Sequence, residues 1–232
     1  MKKSFKKIKL AGALATLGLL SAMGTAQAAI FEIDFTTAGA FSGVAPGSPG
    51  SNTVFATAIF NDTVVPNQVQ LTMNVLNNLP SGAYVNDWYF NVSSAPLTAI
   101  NFVSGVQASA SPTPVENGLN AFKADGTGGN FDFAFHFTTS NPGELGQIHT
   151  SVYNLVGAGI TASSFNSLSV PAPNGGGYVG AAHLAGYGNS VWVSGDGMLR
   201  IPQTPADIPE PATLALLGLG LFGLAATRRR PN

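Results

Sequence analysis

Alternation with period two constrains this chain more than any other feature. Phe131, Phe133, Phe135 and Phe137 take every second position and alternate with Asp132, Ala134, His136 and Thr138. Val69, Leu71, Met73 and Val75 alternate in the same way with Gln70, Thr72 and Asn74. Successive side chains of a strand point to opposite faces, so each run reads as a strand with one buried and one wet face. The phenylalanine run belongs deep in a core. Further strands are predicted at Phe31–Phe35, Val54–Phe60, Tyr84–Val92, Ala99–Val106, Leu119–Ala124, Ile148–Val156, Tyr178–Leu184 and Val191–Ser194. Turn clusters separate them at 46–50, 80–82, 125–130, 141–143 and 174–177. Many short strands punctuated by Gly, Pro and Asn, with no long amphipathic helix, predict an all-β fold, an antiparallel β-sandwich of jelly-roll type. The one helical hint, Thr161 to Leu168, amounts to a turn or two.

Charge is segregated along the 232 residues, although the formal total is only −1. Lys2, Lys3, Lys6, Lys7 and Lys9 crowd the front, and Arg228, Arg229 and Arg230 the back. Between Ala29 and Ile208 the cations are Lys123 and Arg200, against ten acids. Such a body lacks the basic stripe that neutralises a run of phosphates, which argues against nucleic acid as a partner. The absence of cysteine removes thiol catalysis, thiolate metal sites and disulfides. A body of this size folds without such staples.

The two ends read as targeting segments. Residues 1–28 carry a lysine-rich start, the apolar stretch Leu10 to Met23, and the small residues Ala26 and Ala28 where a signal peptidase would cut, so cleavage is expected after Ala28. At the other end Pro209, Glu210 and Pro211 precede the apolar run Ala212 to Thr227 and the cluster Arg228 to Arg230. The prolines stop a helix from extending upstream, and the leucine-rich run favours one. At ~1.5 Å per residue it reaches roughly 24 Å, short for a hydrocarbon core of about 30 Å, so it crosses only as a marginal span. The arginines stay on the cytoplasmic side, which leaves the body facing outward. Three parts follow: a signal peptide at 1–28, a β-sandwich domain at 29–207 and a tail at 208–232.

The order of Pro-Glu-Pro, short apolar helix and arginine cluster resembles the PEP-CTERM sorting tail. The resemblance covers about a tenth of the chain. It implies that Pro209, Glu210 and Pro211 form the motif read by an exosortase, that 212–227 is the membrane helix, and that Arg228, Arg229 and Arg230 are the cytoplasmic stop. It further implies an exported protein of the cell envelope, outer surface or extracellular matrix, with a transient membrane span and exopolysaccharide as a neighbour. Stretches such as 85–92 and 180–184 share the flavour of the family and bring no known activity.

No set of residues in the body spells out a reaction. Gly157, Gly159 and Ala162 fit a dinucleotide pattern, but Pro171 and Pro173 stop the long helix that pattern needs, so a structural turn is expected. No serine stands in a G-x-S-x-G setting, and none of His136, His149 and His183 has a second histidine at metal-ligand spacing. His136 lies opposite the phenylalanine face of its strand, toward solvent or a contact between sheets. The expectation is therefore no enzyme, no catalytic residue and no cofactor. Two binding candidates stay open. Asp125, Asn130 and Asp132 flank a glycine-rich turn that offers oxygen ligands to calcium, with Glu32 or Asp34 as further ligands, although Asp-Gly and Gly-Asn are also ordinary hairpin residues. Trp88 and Trp192 are the rings on which a sugar would stack, although a buried tryptophan is the commoner role in a sandwich. The function expected is a non-enzymatic surface or matrix protein associated with exopolysaccharide. The alternative is a carbohydrate-binding module, helped by calcium.

Overall fold

The computed structural model describes residues 28–93, 96–125, 128–170 and 177–200. Within them lie ten strands: β1 (Ile30–Gly43), β2 (Val54–Asp62), β3 (Gln68–Val75), β4 (Tyr84–Phe90), β5 (Ala99–Gly105), β6 (Val115–Lys123), β7 (Asn130–His136), β8 (Thr150–Val156), β9 (Gly180–Ala185) and β10 (Val191–Arg200). Each overlaps a predicted stretch, although β1 and β10 run well past the predicted ends and β6 starts four residues earlier than predicted. A 3₁₀ turn, Ala162–Phe165, falls within the predicted helical hint. Among the described residues no helix is long and apolar enough to cross a membrane. The expected signal helix, apart from Ala28, and the expected membrane helix at 212–227 lie outside the described residues.

Where two stacked sheets are expected, the ten strands instead form one antiparallel sheet in the order β5-β8-β3-β2-β1-β10-β9-β4-β7-β6. The sheet curls until its ends nearly meet, which makes an almost closed barrel. Three contacts mark the near-closure. Asn117 Nδ2 on β6 donates to the Leu97 carbonyl just before β5 at 2.6 Å. The Ala108 amide donates to Tyr153 Oη on β8 at 2.8 Å, and the Ser109 amide to the His136 carbonyl on β7 at 3.1 Å. The segment joining β5 to β6 thus ties both ends together. Period two demands one buried face per strand, and a curled sheet satisfies that demand as well as a sandwich does.

The concave face holds an aromatic core. Phe60 on β2 meets Phe90 on β4 edge to face at 5.3 Å, although three strands lie between them in the sheet. Phe165 from the 3₁₀ turn stacks on Phe60 at 4.3 Å, and Phe135 on β7 reaches Tyr153 on β8 at 4.6 Å. Glycines on β10 make room for this packing. A Cβ at Gly195 would run into Ile33 and the Phe35 ring, and one at Gly197 would lie 2.6 Å from Phe31 Cζ. β10 therefore extends through glycines that the sequence pattern reads as a stop.

The phenylalanine run does not all enter this core. Phe133, Phe135 and Phe137 do, whereas Phe131 packs in a second cluster with Tyr89, Ala124, Ala134 and Ala181. Nor does β7 have a wet face, because Asp132 and Ala134 are buried too. The pairing of β6 with β7 shifts register between Asn117 and Phe122, beside Phe131, with the extra residues on β6. The Gly157–Ala162 segment forms a turn in which the Ile160 amide donates to the Gly157 carbonyl.

Candidate functional site

The convex face carries a row of polar and aromatic side chains across five adjacent strands. Trp192 on β10 stands opposite His183 on β9, and His183 opposite Asp87 on β4. Asp87 stands opposite His136 on β7. Glu116 on β6 pairs with Ala134 and is the diagonal neighbour of His136. Antiparallel pairing places all five on one face because Trp88, Phe135, Leu184 and Val193 occupy the other. One pleat along, Tyr89 stands between Ala134 and Ala181, whose small side chains leave space for its ring.

Hydrogen bonds run the length of the row. His136 Nδ1 lies 2.6 Å from Asp87 Oδ1, and His136 Nε2 lies 3.2 Å from Glu116 Oε2. His183 Nδ1 lies 3.2 Å from Asp87 Oδ2, and Asn86 Nδ2 donates to the same oxygen at 2.6 Å. The indole of Trp192 stacks on the His183 ring at 4.6 Å, and Tyr89 bridges toward His136 at 5.7 Å. Both nitrogens of His136 face carboxylates, and both donate only when the ring is an imidazolium.

Electrostatics follows from that geometry. Burial pushes the His136 ring toward losing its proton, but the hydrogen bonds and charges of Asp87 and Glu116 outweigh it and hold the ring above the ordinary histidine value. Burial likewise pushes Asp87 upward, yet the bonds and charges of His136 and His183 leave it below the ordinary carboxylate value. Burial, aided by the nearby Asp87 and Glu116 charges, raises the Tyr89 phenol.

A cleft of about 530 Å³ opens beside His136, lined by Asn86, Asp87, Glu116 and the hydroxyls of Ser111, Thr113, Thr138, Thr139 and Ser140. Sequence reasoning missed this site. His136 was legible as opposite the phenylalanine face, but its partners Glu116 and Asp87 stand 20 and 49 residues away along the chain. Only the strand register unites them.

The predicted site residues are placed as follows. Trp88 is fully buried, edge to face with Phe35 at 5.3 Å, so it offers no face to a sugar. Trp192 is half-buried at the end of the row. Asp132 is buried, with Oδ2 accepting from the Val92 amide at 2.8 Å and Oδ1 from the Asn120 amide at 2.7 Å. Asp125 accepts from Ser42 Oγ at 2.7 Å, and the Asn130 amide donates to the Val170 carbonyl. Among the described residues no three His, Asp or Glu side chains are grouped as a metal would require. Ala28 is described and exposed; Ala26, Pro209, Glu210, Pro211, Arg228, Arg229 and Arg230 lie outside the described residues.

The Asp132 geometry fixes an expected result. Asp132→Ala leaves the buried Val92 amide without an acceptor and the Asn120 amide to water, and should cost about 2 kcal/mol, because an unpaired buried donor carries a desolvation penalty of about 1–3 kcal/mol. Urea denaturation with and without millimolar calcium checks this. The same loss is expected in both, and a loss seen only with calcium would assign Asp132 to a metal instead.

The family model described as the PEP-CTERM protein-sorting motif matches residues 207–230. No curated protein and no solved structure matches the chain.

Proposed function

We propose that this PEP-CTERM protein, exported to the cell envelope and handled there by an exosortase, serves as a non-enzymatic polysaccharide-associated module that holds neutral sugar chains in the cleft beside His136. The observation that carries the reading is the cleft lining. Five hydroxyl side chains, an amide and two carboxylates converge on one open groove. Sugar hydroxyls both donate and accept, and Ser, Thr and Asn side chains match them in both senses. The body has few charges to bind a polyelectrolyte, which suits a neutral polymer.

The state of His136 supports a binding role over catalysis. A general base needs a free lone pair within reach of the proton it removes. Both nitrogens of His136 are engaged by carboxylates, which hold the ring above the ordinary histidine value. Thr113 and Thr139 are exposed on the cleft and stand apart from this ion pair, so they make the cleaner test. Thr113→Val with Thr139→Val keeps the shape and removes two hydroxyls. Affinity electrophoresis against the host's exopolysaccharide should show binding weakened about tenfold, equivalent to about 1.4 kcal/mol. The polymer's size distribution should stay unchanged after long incubation with the parent. Retardation equal in parent and variant would remove the cleft from the role, and shortened polymer would replace binding by hydrolysis.

A further inference from the structure

We infer that Asp62 is the receptor for the amino terminus that signal-peptide removal creates at Ala29. The reading takes cleavage after Ala28 as its premise and is independent of the sugar cleft. The Ala29 amide nitrogen lies 3.1 Å from Asp62 Oδ2, and the Asp62 amide donates back to the Ala29 carbonyl at 3.0 Å. The other carboxylate oxygen, Oδ1, accepts the Ala162 amide at 2.6 Å. One side chain thus ties the start of β1 to the end of β2 and to the 3₁₀ turn whose Phe165 stacks in the core.

Ala28 is exposed and lines a groove of about 470 Å³ with Asp62, Asn67, Gln68, Ile160 and Thr161. Asp62 is the only titratable side chain in that lining among the described residues. Hydrolysis adds the hydroxyl of water to the Ala28 carbonyl carbon and breaks the bond to the Ala29 nitrogen. That nitrogen takes the remaining proton of the water and, at neutral pH, one more from solvent. The product is an ammonium group already within hydrogen-bond distance of a carboxylate. A neutral amide contact becomes a charge-assisted one, which is roughly twice as strong. Processing therefore tightens the start of β1, without any rearrangement of the chain.

The test compares two processed proteins purified from the envelope. One is the parent, starting at Ala29. The other carries a glycine inserted between Ala28 and Ala29, with processing after Ala28 verified by intact mass, so that Ala29 keeps an ordinary amide. At pH 6 the parent should have an unfolding constant about fivefold smaller, the factor expected for about 1 kcal/mol. The pairing raises the folded amino group above its unfolded value of about 8, so the advantage is complete below that pH and fades as pH rises through the folded value. Asp62→Asn retains an acceptor for Ala162 and should make the two starts equal. A parent that starts elsewhere, equal stability of the two forms at pH 6, or an advantage that survives Asp62→Asn would each overturn the assignment. Loss of sugar binding in any of these proteins would bear on the cleft alone.

Discussion

The variant Pro209→Ala, Glu210→Ala, Pro211→Ala should accumulate as a larger, membrane-bound protein while the parent is trimmed and passes outward. The effect should be close to all or none. The motif match at residues 207–230 supports handling by an exosortase, and the substitutions leave the apolar run 212–227 and Arg228 to Arg230 in place. An apolar run followed by clustered cations should still halt export, because such cations remain on the cytoplasmic side. What the variant loses is recognition, so the tail stays attached. Membrane fractionation with intact-mass measurement reads the result, and a host without the exosortase should reproduce it with the parent sequence. A parent whose mature surface form keeps Arg228 to Arg230 would make the tail a permanent anchor.

The positions of all ten strands were legible because period two and turn residues are local signals. Their assembly was not. The alternation of Val69 to Val75 says that one face is buried, but it is silent on whether the covering layer is a second sheet or the far end of the same one. Closure depends on contacts such as Asn117 with the Leu97 carbonyl, where a single amide meets a carbonyl 20 residues earlier. β1 and β10 also ran past their predicted ends. Residues 36–43 are rich in small residues, and 195–200 read GDGMLR, so neither carries an alternation of its own, yet β1 and β10 pair along both stretches, with Phe35 opposite Gly195 and Ala40 opposite Val193.

The convex-face row illustrates the same limit at the level of chemistry. Asp87 alternates with Trp88, His136 with Phe135 and His183 with Leu184, so each was readable as pointing away from the core. That the three meet depends on pairing across β4, β7 and β9. A one-residue slip in any pair would send its partner to the other face. A search for histidine and carboxylate positions that share strand parity would have found the members of the row, though not their order.

That row should dominate the dependence of stability on pH. His136 is held above its ordinary value of 6.5, so its contribution is complete below that pH and is lost as pH rises through the folded value. Asp87 is held below its ordinary value of 3.8, so its contribution is present above that pH and is lost as pH falls through the folded value. Stability should therefore peak between about pH 4 and 6.5 and fall on both sides. Asp87→Ala leaves His136 and His183 without their shared acceptor. Removing one partner of a fully buried pair costs about 3–5 kcal/mol, and because these side chains remain 17–19% exposed the expected loss at pH 6 is about 2–3 kcal/mol. His136→Gln keeps a hydrogen-bonding side chain but cannot titrate, so it should flatten the alkaline limb and leave Glu116 facing an amide. Urea denaturation from pH 4.5 to 9 measures both effects. A parent with constant stability between pH 6 and 9, or a His136→Gln variant with an unchanged alkaline slope, would show that the imidazolium between Asp87 and Glu116 does not hold these strands together.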